Sequence, residues 1–152
     1  MSRWAIPFGA GLFVFAAAWA VSASQTSERA REAQSLKVVC GKCHNLQMVM
    51  DTRKSYDAWH DTVQKMVNLG AKGTDDQFDD IMDYLHRTMT TIDVNSADPD
   101  ELEIVLNVSE TAAQAIVARR RTKRFTGLAD LKSIPGVDAS IVNKKARLIF
   151  FN

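Results

Sequence analysis

The chain has 152 residues, 46% of them hydrophobic, and its 19 basic and 18 acidic side chains nearly cancel. This balance gives no global charge signal for a nucleic-acid or membrane partner. The charges are nevertheless segregated, because residues 91–111 contain six acids and no base whereas residues 112–152 contain nine bases and two acids.

The first 23 residues are typical of a secretory signal peptide. Arg3 precedes an apolar run from Trp4 to Val21, and the small residues before the polar stretch predict cleavage after Ala23. The alternative is an uncleaved anchor, since the run is barely long enough to cross a bilayer core of roughly 30 Å. Both alternatives predict an exported, periplasmic protein, which contacts a membrane only if this segment is retained.

Residues 24–90 predict a small domain of three helices. The first helix covers residues 28–40, which contain good helix formers and neither Gly nor Pro. The second begins after a cap at Ser55 and stops near Gly70. The third begins at Thr74, which forms a capping-box pattern with a glutamine three residues later, and it ends near Met89.

Residues 91–152 predict a second helical domain, with the boundary near Thr90, where Asn, Asp and Pro interrupt the helical pattern. Four short helices joined by tight turns are expected within residues 99–107, 109–121, 126–134 and 138–151. No segment shows sustained strand alternation, although the last one is ambiguous at its end. The predicted fold class is therefore all-α.

Cys40, Cys43 and His44 form the pattern Cys-x-x-Cys-His at the end of the first helix. A zinc site would need four ligands and an iron–sulfur cluster normally four cysteines, while a thioredoxin-like pair belongs beside a βαβ pattern. A disulfide stays open in an oxidising compartment. The pattern is the attachment motif of c-type haem, so we expect one covalent haem c, with two thioether links and His44 as an axial ligand.

The second axial ligand has several candidates, which are Met48, Met50, Met66, Met82, Met89, His60 and His86. Met66 shares a helical stripe with Trp59 and Val63, so it is expected to point into the apolar interior. Methionine is also a common core filler, and this pattern alone does not select one candidate.

The segment from Cys40 to Leu85, which includes "YDAWHDTVQKMVNLGA", resembles a family of small monohaem cytochromes c. This family includes cytochrome subunits of periplasmic sulfite-oxidising molybdoenzymes and haem modules of quinohaemoproteins. The resemblance implies that Met66, in the W-x-x-T-V-x-x-M pattern, is the distal ligand. A haem with both axial positions filled implies an electron carrier with a redox partner protein, not an enzyme.

Residues 92–152, with the lead-in Asp93-Val94-Asn95-Ser96-Ala97, resemble the tandem helix-hairpin-helix domain of the competence DNA-receptor family. The same fold occurs in an extrinsic subunit of photosystem II, where it contacts protein. The DNA-binding version docks phosphates on backbone amides exposed by glycine pairs. Here Asn107-Val108-Ser109 and Gly136-Val137-Asp138 replace three of the four glycines, and Glu110 adds a negative charge.

A basic run follows the first hairpin and is a candidate surface for DNA or for a partner protein. With the second hairpin, the candidate contact residues are Arg119, Arg120, Arg121, Lys123, Arg124, Gly136 and Val137. The sequence therefore predicts an exported electron-carrying cytochrome whose second domain docks to a redox partner. The alternative is a DNA-binding or DNA-uptake protein with a haem domain, in which DNA binding is weak.

Overall fold

A computed structural model describes residues 15–152, and it describes residues 15–23 only as helix backbone. The helices are α1 (Phe15–Cys40), α2 (Leu46–Met50), α3 (Tyr56–Asn68), α4 (Asp75–Met89), α5 (Pro99–Leu106), α6 (Glu110–Thr122), α7 (Leu128–Lys132) and α8 (Ala139–Lys144), and the strands are β1 (Ile92–Asp93) and β2 (Ile149–Phe150). The predicted all-α class is confirmed.

The predicted signal segment lies largely outside the described residues, because residues 1–14 are not described and residues 15–23 continue α1 toward the N-terminus. Within the described part of the chain, no helix is long and apolar enough to cross a membrane.

The first four helices form an N-terminal unit in which α1 and α4 pack closely against each other. Its core, called here the N-terminal core, is small and consists of Leu36, Val39, Trp59, Ile81, Leu85 and Met89. The three predicted helices are present, and the short helix α2 is an addition that the sequence analysis missed. A five-residue helix covers too little sequence to show a helical period.

Polar contacts fix the register of α1 against α4. Asp80 on α4 accepts hydrogen bonds from Ser35 at 2.8 Å and from the Arg31 guanidinium at 2.9 Å. Burial works against the charged carboxylate, but these two hydrogen bonds and the charge of Arg31 outweigh it and hold the pKa of Asp80 below its ordinary value. About two helical turns further along α4, Arg87 donates to the buried Glu32 on α1.

The predicted helix caps are present. The Ser55 side chain accepts from the Ala58 amide at the start of α3, and Thr74 and Gln77 form a reciprocal capping box at the start of α4. Because a cap depends on residues only two or three positions apart, the N-termini of α3 and α4 could be predicted from the sequence.

The C-terminal unit contains α5 to α8 around a larger core that includes Leu102, Ile116, Phe125 and Leu131. Strands β1 and β2 pair in parallel, with Ile92 beside Ile149. The expectation of helices alone in this region was therefore wrong in detail, since the last predicted helix ends at Lys144 and the chain finishes in β2.

The two units are joined tightly at the point where α4 ends. Lys54 and Thr90 form a parallel β-bridge, and the Thr91 amide donates to the Lys54 carbonyl at 2.8 Å. The Tyr56 ring stacks on His86, with ring centroids 3.8 Å apart, and also packs against the C-terminal core. Burial lowers the pKa of His86, so its imidazole is neutral at pH 7.

Candidate functional sites

The Cys-x-x-Cys-His motif forms one tight turn at the C-terminus of α1. The amides of Cys43 and His44 donate to the carbonyl of Cys40, at 3.3 and 3.0 Å. Cys40 and His44 are half-buried, whereas Cys43 is exposed, and both cysteines are free thiols. The motif is therefore gathered at a helix end, with its thiols open to covalent chemistry.

Gly41 is required by the close approach of this turn to α1. A Cβ at this position would lie 2.3 Å from the carbonyl oxygen of Lys37, far inside van der Waals contact. Any other residue would displace the turn, and with it the two cysteines. The pKa of the Cys40 thiol is raised by burial, so this thiol is protonated at neutral pH.

Cys40 is one of several side chains that pack against the N-terminal core and are only partly covered. Val38, Leu46, Val49, Val63, Phe78 and Met82 pack against the N-terminal core without being buried in it. Trp59 is 3% exposed, and its indole Nε1 has no hydrogen-bond partner. A buried N–H of this kind normally has an acceptor. Partly covered apolar side chains, an indole donor and the Cys-x-x-Cys-His turn together fit a covalently attached haem.

The candidate distal ligands occupy different environments. Met66 is half-buried on α3 but, contrary to the expectation that it points into the interior, it does not pack against the N-terminal core. Met50 and Met82 do pack against that core, and Met89 is buried within it.

The remaining candidates are less suited to reach the motif. Met48 is 54% exposed and His60 is exposed, while His86 is held in the stack with Tyr56. Among the described residues there is no group of three or more His, Cys, Asp or Glu side chains placed to hold a metal ion.

The first hairpin of the C-terminal unit connects α5 to α6 through Asn107, Val108 and Ser109. Asn107 adopts the left-handed conformation, with φ of 54°, that a glycine would adopt without cost. Val108 is buried, and the Ser109 hydroxyl accepts from the Ala112 amide. The Ser109 hydroxyl therefore already accepts from the Ala112 amide, which could otherwise donate to a phosphate.

The second hairpin connects α7 to α8 and has the same design. Gly136 has a φ of 85°, and a Cβ there would come within 3.2 Å of the Ala112 side chain, so the two hairpins meet at these residues. Val137 is half-buried, and the Asp138 carboxylate accepts from the Ser140 amide at 2.7 Å. This hydrogen bond lowers the pKa of Asp138, so the helix start carries a fixed negative charge.

The basic run divides into structural and exposed members. Arg120 donates to the carbonyls of Val94 and Ala97, at 3.0 and 2.7 Å, and thereby fixes α6 to the segment after β1. Arg119 lies over the Phe125 ring at 5.1 Å. These two arginines are half-buried and help to hold the domain together.

The other three members of the basic run are exposed, and they are Arg121, Lys123 and Arg124. Arg124 donates to the carbonyl of Asn152. The surface that can attract an anion is therefore smaller than the sequence pattern indicates.

Two helical hairpins packed back to back define a tandem helix-hairpin-helix domain. Comparison with known families agrees, because the family model of the helix-hairpin-helix motif matches residues 88–149. No family match covers the cytochrome-like segment. No curated protein and no solved structure matches the chain significantly. The structure and the family comparison thus agree on a helix-hairpin-helix motif in the C-terminal unit.

Proposed function

We propose that this protein is an exported c-type cytochrome that carries single electrons on one covalent haem and docks to a redox partner protein through its helix-hairpin-helix domain. The observation that carries the proposal is the turn of Cys40, Cys43 and His44, in which Cys40 packs against the N-terminal core beside other partly covered side chains. Export rests on the predicted signal segment, and the assignment as a carrier rests on the axial ligands.

In this proposal Cys40 and Cys43 would hold the haem by thioether bonds, and His44 and Met66 would bind its iron. A haem with His and Met ligands supplies reversible one-electron transfer at a raised potential. The partly covered apolar side chains on the N-terminal core would contact the haem, and the unpaired indole N–H of Trp59 would be available to donate a hydrogen bond. With both axial positions filled, no site for a substrate is left at the iron.

Met66→Ala is expected to remove the distal ligand. The oxidised protein should lose its weak near-infrared sulfur-to-iron band, shift toward high spin and show a lower reduction potential. Spectra and redox titration of the exported protein measure all three changes. Met82→Ala and Met50→Ala are matched controls, because these methionines pack on the N-terminal core and should leave the band in place. Loss of the band in Met82→Ala or His86→Ala, with Met66→Ala unchanged, would contradict the assignment.

A second candidate function is DNA association, which the family match over residues 88–149 favours for the C-terminal domain more directly than it favours electron transfer. The exposed cations Arg121, Lys123 and Arg124 would supply the attraction. Close docking of a phosphate is disfavoured, because the side chains of Ser109 and Asp138 already accept from backbone amides at the two hairpins. DNA association in this form is electrostatic, weak and independent of base sequence.

DNA binding by the full chain should therefore be weak and should decrease steeply as salt rises from low to physiological concentration. Asp138→Gly should strengthen it, because the substitution removes a negative charge and frees the Ser140 amide, while a glycine cap costs α8 only a few tenths of a kcal/mol. Affinity for duplex DNA at two ionic strengths measures both effects. Tight binding by the unmodified chain at physiological salt, without a gain in Asp138→Gly, would place DNA binding ahead of protein docking.

A further inference from the structure

A cleft of about 390 Å³ lies where the N-terminal unit meets the helix-hairpin-helix domain. Helices α1 and α4 contribute one wall, and the first hairpin, α8 and the residues after it contribute the other. The volume is near the lower end of the range of small-molecule sites, roughly 300–1,000 Å³. The cleft is well away from the Cys-x-x-Cys-His turn along α1, since its α1 residues precede Cys40 by eight or more positions.

The lining of this cleft is strongly cationic. Arg29, Arg87, Lys144 and Lys145 all line it, whereas Glu32 is the one acidic residue of the lining. Glu32 accepts a hydrogen bond from Arg87, so its charge is already balanced. Three positive charges are therefore left facing one small volume.

Lys145 is the cation most affected by this arrangement. Its ammonium is half-buried and donates to the carbonyl of Val105, and the described part of the chain gives it no ion pair with an acid. Burial, followed by repulsion from Arg87, Lys144 and Arg29, lowers its pKa to about 8. A cleft lined by charges of one sign focuses the electric field and concentrates ions of the opposite charge.

We propose that this cleft binds a phosphate group of a nucleotide. The phosphate would balance Lys144, Lys145 and Arg29, and the apolar side chains of Tyr84, Ile141 and Leu148 would contact the base or sugar. The phosphate can belong to a free nucleotide or to the backbone of DNA, because both present the same oxygen atoms. The site stands on residues of both units and does not depend on the haem proposal.

The test is a calorimetric titration of the full chain. The three ligands are ADP, inorganic phosphate and short duplex DNA, all at one ionic strength. Lys145→Met and Lys144→Gln should each weaken binding about tenfold, as expected for loss of one charge-assisted hydrogen bond. Lys72→Gln is the matched control, because it removes the same charge from an exposed position between α3 and α4, outside the cleft, and should leave the affinity unchanged. Arg87 is left intact, since it also balances the buried Glu32.

Binding should also depend on pH. Affinity should be highest below about pH 8 and fall above it, as Lys145 loses its proton, and this dependence should be absent in Lys145→Met.

The ligands distinguish the two sources of the phosphate. Binding of ADP without binding of DNA would identify a free nucleotide, and DNA binding that weakens in Lys145→Met would identify backbone phosphate. Lys144 is exposed, so Lys144→Gln should fold normally and keeps the test decisive if Lys145→Met does not. Absence of binding, or equal affinity in both cleft variants and the control, would overturn the proposal.

Discussion

Replacing both Cys40 and Cys43 by Ala should abolish the haem signal of the exported protein on a denaturing gel. Denaturation releases a haem that is held only by axial ligands and packing, whereas thioether bonds survive it. The two cysteines are the only ones in the chain, so no other residue can supply such a bond. Peroxidase staining of the gel, together with the mass of the intact protein, measures the loss.

His60→Ala is a suitable control for this experiment, because His60 is exposed on α3 and should leave the haem band unchanged. His44→Ala should keep a covalent link when attachment succeeds but should alter the spectrum, since it removes an axial ligand. A haem band that survives in the double cysteine variant would refute covalent attachment at this motif. So would an exported wild-type protein that contains a Cys40–Cys43 disulfide and no haem.

Features that depend on a few neighbouring residues could be predicted from the sequence. The cap at Ser55 and the capping box of Thr74 and Gln77 are read from residues two or three positions apart, and the structure contains both. Short-range patterns did not reveal β1 and β2, because two-residue strands show no alternation. Their pairing joins Ile92 to Ile149 across almost the whole C-terminal unit.

The roles of individual charges were hidden for the same reason. In the sequence Arg119, Arg120 and Arg121 form one basic run, but only the fold places the Arg120 guanidinium against the carbonyls of Val94 and Ala97. The cationic cleft is a similar case. Arg87 is 58 residues from Arg29 on one side and from Lys145 on the other, and no local pattern connects the three. Which charged side chains come together therefore became visible only from the packing of α1, α4 and α8.

The ion pair of Glu32 with Arg87 should be the most sensitive polar contact of the N-terminal unit. The Glu32 side chain is only 4% exposed, so Arg87→Met would leave a buried carboxylate without a balancing charge. We expect the free energy of unfolding to fall by about 3 kcal/mol. The double variant Glu32→Gln, Arg87→Met should recover most of this loss, because it removes the buried charge together with its partner.

The second ion pair between α1 and α4 provides the comparison. Arg31 is 65% exposed, and its partner Asp80 keeps the hydrogen bond from Ser35 when the guanidinium is removed. Asp80 is only 8% exposed, so Arg31→Met should still cost about 1.5 kcal/mol, as expected for loss of one hydrogen bond to a charged group, but less than Arg87→Met because the hydrogen bond from Ser35 remains. Denaturant unfolding of the four proteins, under one set of conditions, measures the differences. If Arg87→Met costs no more than Arg31→Met, or if the double variant is no more stable than Arg87→Met, burial of Glu32 does not determine the stability of this contact.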